Sequence, residues 1–598
     1  MNPSTPRRLL AGSVALALAI TAVPGSVARA AGAGAKSISA SDLKTWLTTI
    51  SSDEFEGRAT FSEGLGLAAS YLAGELRVMG VKPGGDNGSY FQRVRVLGVK
   101  AASHNTITLT VNGRSRTFKD GEGFTLPKNA GGKRTFTSDQ VVFMGYGAIL
   151  PALKVDDYAG RNVAGRVVVY LGARGPKGGE TPDSRRLLGG RARYATDIAK
   201  AVATIGPFVP SPFGPPAGAA PSPSPSPSAS PAASAGGGGG RGGFGAPLPT
   251  PDFTTAERLD KEIPPAVTAQ DEFFEYLFSA SDVKYADLKA KAANQEPLPA
   301  VSLKGVSISF GIDADYEVVR TQFTRNVVGV IEGADPKLKD TYVAFGAHYD
   351  HVGYAEGELV DTPVTETVKS GKHRLGAVGA VTDSAIEDRI WNGADDDGSG
   401  TVTLLSLAQA FATAPKTKRS LVFVWHTGEE RGLWGSRYYA DYPSVPMEKI
   451  VAQLNMDMVG RNNKDDAREE NTVYLVGSDR ISTELHNISE DANANLKPPM
   501  KIDYSANDAA DPELIYYRSD HYSYAVKGVP ILFYTTGLHD DYHHNTDSVE
   551  KIRFDKMARI GELMYETGRR VANLDHAPVR DNKGPRVGKG SAGKLAEK

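Results

Sequence analysis

No cysteine occurs in this 598-residue chain, which excludes disulfides, thiolate metal sites and cysteine nucleophiles together. Neither charge sign is in excess: 68 Lys and Arg stand against 70 Asp and Glu, so no basic field points to nucleic acid or an anionic membrane as a partner. Long apolar runs are scarce too. The one near the N-terminus, Leu9 to Val23, is too short to span a bilayer comfortably. It follows Arg7 and Arg8 and precedes Ala28-Arg29-Ala30, so residues 1–30 read as a cleaved export signal. The arginine pair is compatible with an ordinary signal or with the twin-arginine route. A secreted or periplasmic protein is expected, with no integral membrane segment after cleavage and without disulfides to stabilise it.

What the chain does contain is a series of short apolar runs, each followed by polar residues. TYVAF (341–345), SLVFVW (420–425), IVAQL (450–454) and VPILFY (529–534) read as buried strands bounded by turns. GTVTLLSLAQAFAT (400–413) carries Leu404, Leu407, Ala408 and Phe411 at helical spacing. Alternating strands and helices predict an α/β fold with a mixed, mainly parallel central sheet flanked by helices. Ligand sites in such sheets form beyond the carboxyl ends of the strands. Five polar strings lie beside these elements: GAHYDH, NGADDDGSG, HTGEERG, LNMDMVG and DYHHNTD.

Two histidines and several carboxylates without a thiolate form a donor set suited to Zn²⁺, with Mn²⁺ or Co²⁺ as possible substitutes. A pair of such ions needs a bridging carboxylate, and Asp396 is the candidate. In the adjacent acids Glu429 and Glu430, one carboxylate can bind metal while its neighbour moves a proton. Taken singly, each string has an ordinary structural reading. A histidine after a strand can serve the core, and DDDGSG can be a turn or helix cap.

In their order, AHYDH, NGADDDGSG, EERGLWGS, NMDMVG and YHHNTDS resemble the co-catalytic zinc aminopeptidases of metallopeptidase family M28. The likeness runs from about Thr341 to Val571, and Leu47 to Pro83 resembles the family's opening segment. It implies that Asp396 bridges two zinc ions, one also held by His348 and Asp457 and the other by Glu430 and His543. Glu429 would act as general base and acid, and Asp350 would orient the His348 imidazole. Tyr542 stands where some relatives stabilise an oxyanion, though an aromatic packing beside the site is the alternative. Ser519, Asp520 and His521 match a substrate-pocket segment, with a plain helix start as the alternative. Asp395 or Asp397 could replace Asp396 by a one-residue slip, and His544 could replace His543. The implied activity is an exopeptidase, foremost an aminopeptidase acting on peptides with a free N-terminus. Carboxypeptidase, dipeptidase, glutaminyl cyclase and a silent binding protein remain open on the same scaffold.

The domain plan follows. Residues 37–97 open the peptidase domain, 98–320 form an insert, 321–575 complete the peptidase domain, and 576–598 form a disordered tail. VVFMGYGA (141–148) and the β-rich run Val155 to Pro176 resemble a protease-associated domain, either a substrate-selecting wall or a purely structural module. Inside it, residues 207–251 are dominated by Pro, Ser, Ala and Gly and cannot bury enough apolar surface to fold. Residues 354–390 read as a long polar insertion near the site mouth.

Overall fold

The computed structural model describes residues 34–207, 249–355, 388–508 and 511–582, together with three short strands between 360 and 382. The expected export signal, most of the Pro/Ser/Gly tract, most of the 354–390 insertion and residues 583–598 lie outside the described residues. Among those described, no helix is long and apolar enough to cross a membrane.

The four apolar runs form the middle of one large sheet. Ser420–His426, Tyr342–His348, Ile450–Met456 and Ile531–Thr535 lie side by side, all parallel. Antiparallel wings extend the sheet on both sides. Ala314–Ile331 pairs with Ser420–His426 and with Phe91–Ser103, while Thr472–Val476 pairs with Ile531–Thr535. Strand alternation divides the core between two faces. Val343, Phe345, Phe423, Trp425 and Leu454 pack on one face under helices Ala40–Ile50, Glu63–Val78, Gly400–Thr413 and Phe554–Asn573. Ala344, Val422, Val424, Ile531 and Phe533 face the other way, against Tyr439 and Tyr524 of helices Trp434–Asp441 and His521–Val526.

The insert has its own sheet and its own core. That sheet runs from Ala300–Ser302 through Val141–Met144, Val167–Val169, Ala203–Pro207 and Ala266–Ala269 to the antiparallel strands Arg114–Asp120, Thr106–Val111 and Val306–Ile312. Phe124, Phe143, Phe273, Phe274 and Phe310 fill its interior. Phe91–Ser103 and Ala314–Ile331 stay paired through both expected domain limits, so the insert begins and ends near His104 and Asp313 rather than at 98 and 320. One strand of the insert region, Phe253–Thr255, returns to the large sheet beside Phe91–Ser103.

The tail expected to be disordered from His576 is held through Asn582. Glu484 accepts from His576 Nε2 and from the Val579 N–H at 2.8 Å each, Asp581 accepts from the Thr483 N–H, and the Asn582 N–H donates to Ile481. Local partners on helix Thr483–Asn495 outweigh the segment's polar composition.

Candidate metal centre

The carboxyl ends of the parallel strands deliver the site. His348 closes its strand, Asp457 directly follows Met456, and Glu429 and Glu430 lie just past His426. His543 comes from the loop after Ile531–Thr535, and Asp396 from the turn that enters helix Gly400–Thr413. Asp396 Oδ1 lies 3.4 Å from His348 Nε2, which is 3.5 Å from Asp457 Oδ1. Its other oxygen, Oδ2, lies 3.0 Å from His543 Nε2, which is 3.0 Å from Glu430 Oε2. One carboxylate is therefore shared between two groups able to hold a cation. His348 Nε2, His543 Nε2 and Asp396 Oδ2 are buried and make no hydrogen bond despite these separations. Atoms so close and yet unbonded are aimed at common points between them, as ligand atoms are, and the imidazole–carboxylate set suits zinc.

The three consecutive aspartates diverge, which separates their roles. Asp395 Oδ1 accepts from the Gly460 N–H at 2.6 Å and Oδ2 lies 3.2 Å from His539 Nε2. Asp397 accepts from the N–H groups of His348, Gly400 and Met458 at 3.0–3.1 Å. Only Asp396 faces both cation groups. Asp547 holds this turn from behind, accepting from the N–H groups of Asp395 and Asp396 at 3.0 Å. His544 turns away, its Nδ1 3.0 Å from the Tyr542 carbonyl.

Charge is concentrated here. Burial pulls the His348 imidazole down, but Asp457, Asp397 and Glu429 together drive it well above the usual histidine range. The same contest, with Glu430 as the main partner, raises His543. Burial works upward on Asp396 and Glu430, yet their histidine partners hold both low, Glu430 to about 2. Glu429 goes the other way, pushed well above the carboxylate range by burial, with Glu430 and Asp457 adding to the rise. Cations would supply the positive charge that imidazole protons otherwise contribute, leaving the rings free as ligands.

Several expected positions take different roles. The carboxylate of Asp350 lies 3.8 Å from His348 Nδ1, and the nearer acceptor is the Asp350 backbone carbonyl at 3.1 Å. The Asp350 side chain instead accepts from the Glu429 N–H and the Thr60 hydroxyl, at 3.1 Å each. Ser519, Asp520 and His521 do not form an accessible wall, being at most 1% exposed. Ser519 accepts from Asn455 Nδ2, Asp520 Oδ2 lies 3.4 Å from His426 Nδ1, and His521 stacks on Phe533 with its Nε2 2.8 Å from the Tyr516 carbonyl. They form a buried layer because the Tyr516–Val526 segment packs onto the sheet.

Tyr542 stacks on the His543 ring with centroids 4.0 Å apart, and its hydroxyl accepts from Arg518 Nη2 at 3.2 Å. Burial raises this phenol to about 12, against the pull of His543 and Arg518. Arg518 in turn pairs with Glu513, which also pairs with Arg186 on the insert's helix Pro182–Arg193. A chain of polar contacts thus joins the insert to the tyrosine.

Two supporting residues stand outside the expected set of site positions. Arg58 is 1% exposed and donates to the carbonyls of Ile50, Tyr349, Asn392 and Gly393 at 2.8–3.0 Å. It ties the opening segment to the loops bearing His348 and Asp396. His351 joins the Glu430 and His543 group. Its place three residues after His348 in GAHYDH was the available clue. A third group, Asp465, His539 and Asp541, is neutralised by Arg461 and Lys551 and gains nothing from a cation.

The sequence profile of peptidase family M28 matches residues 326–568. Leucine aminopeptidase 1 of Sclerotinia sclerotiorum is 27% identical over 250 residues, covering 39% of this chain and 61% of that protein. A probable leucine aminopeptidase of Arthroderma benhamiae is 30% identical over 216 residues, covering 34% of this chain and 56% of that protein. The chain thus spans less than two thirds of the length of these relatives. Among solved structures, an aminopeptidase from Aneurinibacillus sp. strain AM-1 aligns at TM-score 0.39 and 16% identity, covering 91% of this chain and 95% of that one. BSAP, a zinc aminopeptidase from Bacillus subtilis, aligns at 0.40 and 15%, covering 92% and 97%.

Proposed function

We propose, from the premise that residues 326–568 belong to peptidase family M28, that this protein is a secreted two-zinc aminopeptidase removing N-terminal residues from peptides. The observation that supports it most is the shared Asp396, with one oxygen toward His348 and Asp457 and the other toward Glu430 and His543. His348, Asp396 and Asp457 would hold one zinc ion, and Asp396, Glu430 and His543 the other. When bound, the pair supplies Lewis acidity, polarising a carbonyl and making water acidic enough to ionise near neutral pH.

The remaining chemistry belongs to the chain. Glu429 would accept the proton of the attacking water and return it to the amine nitrogen as the C–N bond breaks. The Asp350 carboxylate fixes Glu429 through its backbone N–H. Because Arg518 donates to the Tyr542 oxygen, the hydroxyl proton of Tyr542 is free to stabilise an oxyanion developing on the substrate. The insert would bear on substrate selection through Arg186, Glu513 and Arg518. Export rests on the reading of residues 1–30, and N-terminal sequencing of the secreted protein tests it.

The decisive variant is Glu429→Gln, assayed on aminoacyl anilides beside N-terminally blocked peptides, with metal content measured in parallel. We expect both zinc ions retained, turnover reduced by about 10²–10⁴-fold, and wild-type activity confined to free N-termini. Near-normal turnover of the variant with both metals bound would overturn the mechanism. Equal hydrolysis of blocked peptides would overturn the aminopeptidase assignment.

A further inference from the structure

His351 supplies a side chain to this centre that neither the five strings nor the shared-carboxylate reading requires. The ring is 1% exposed or less, and its Nε2 has no hydrogen-bond partner. Nδ1 lies 2.9 Å from Glu430 Oε1 and 3.8 Å from Asp396 Oδ2. It stands edge-on to the His543 ring, with centroids 5.7 Å apart at 72°. All four residues offer atoms within a span one cation could bridge.

The ring is held in place by its surroundings. The His351 N–H donates to the Arg58 carbonyl at 3.1 Å, and His351 forms a β-bridge with Ala59. Gly393 has φ +55°, and a Cβ there would come within 2.3 Å of the Asp396 carbonyl oxygen and 2.5 Å of the His351 ring carbons. Glycine at 393 therefore serves both the backbone conformation and the close approach of the ring. A neutral residue needing only volume would not require so specific a seat beside two carboxylates.

We propose that His351 is a fourth protein ligand of the cation held by Asp396, Glu430 and His543. The two sites are then unequal. One has Asp396, Glu430, His543 and His351, enough to complete a tetrahedral shell, and the other has only His348, Asp396 and Asp457, with a position left open. The four-ligand site holds its ion more tightly and fills first, while the three-ligand site exchanges. This rests on the two-zinc reading above, yet the two can fail separately. Two zinc equivalents bound by the wild type test that reading, and the difference between variants tests the role of His351.

The experiment is a chelator-competition titration of Zn²⁺ into metal-free protein, comparing wild type, His351→Ala and His351→Gln. Visible absorption of the Co²⁺-loaded proteins serves as a second readout, because band intensity reports coordination number. Glutamine can still donate a hydrogen bond to Glu430 but is a poor zinc ligand, so it separates ligation from positioning. We expect two unequal sites in the wild type, the tighter weakened by at least about tenfold in both variants, with the weaker site unchanged. Unchanged melting of the metal-free variants excludes misfolding as the cause. Wild-type affinity at both sites in His351→Gln would overturn the proposal, since a hydrogen bond to Glu430 would then suffice. Unchanged affinities in His351→Ala, or equal weakening of both sites, would overturn it as well.

Discussion

Arg58→Met tests whether the site is built on one buried guanidinium. Methionine fills much of the same volume but leaves the carbonyls of Ile50, Tyr349 and Asn392 without their donor, while the Gly393 carbonyl keeps the Gly398 N–H at 3.1 Å. Each unsatisfied buried carbonyl costs about 1–3 kcal/mol, a gross loss of about 3–9 kcal/mol for the three. Removing the cation recovers part of that. Burial, the main influence on Arg58, pulls it down to about 10 against the raising effect of Asp547, Asp397, Asp350 and Asp396. A depression of that size corresponds to about 3 kcal/mol. The net expectation is about 3–5 kcal/mol of destabilisation, the usual cost of breaking a buried charged contact.

Urea unfolding of the metal-free protein, followed by tryptophan fluorescence, measures this loss. Trp391 is fully buried beside Asn392 and reports on the affected loop. Arg58→Lys keeps the charge but cannot span four acceptors in different directions, so it should recover less than half of the loss. Zinc affinity should fall in both variants because the loops bearing His348 and Asp396 lose their common anchor. A loss below about 1 kcal/mol in Arg58→Met would refute the reasoning, since three unsatisfied carbonyls could not then have remained buried.

Three further outcomes follow from the same geometry. Burial holds His521 down at about 3, so its contribution is complete above about pH 6.5 and declines as pH falls toward 3, about 2 kcal/mol being lost by pH 5; His521→Phe should show a smaller drop between pH 7 and 5 in urea midpoints, and an identical drop would refute this. Chelating the metal should lower the melting temperature, because each ion at 1,000 times its dissociation constant adds about 4 kcal/mol; a scan unchanged by chelator would contradict the ligand assignment. Tyr542→Phe should reduce kcat by about 10²-fold with KM little changed; unchanged kcat would make Tyr542 a packing residue stacked on His543.

The central sheet was legible because strands buried on both faces read as unbroken apolar runs. TYVAF, SLVFVW, IVAQL and VPILFY each mark a strand, and 400–413 coincides with the helix that follows Asp396. The outer antiparallel strand Phe91–Ser103 gave no such signal. In Phe91–Ser103 exposed arginines alternate with buried valines, so one face meets solvent and the run looks polar. The domain limits slipped for the same reason, as a strand shared by two domains carries no change of composition at the junction. Residues at strand ends were readable as a site because one end of a parallel sheet gathers them from remote parts of the chain. Adjacent residues were not. Asp395, Asp396 and Asp397 are chemically identical neighbours with three different sets of partners, and Ser519, Asp520 and His521 are buried rather than lining an accessible pocket. In a turn, the backbone sends consecutive side chains in unrelated directions, so spacing alone cannot assign their partners. His351 and Arg58 mark the same limit: one differs from an ordinary buried histidine, and the other from a surface arginine, only by what stands opposite it.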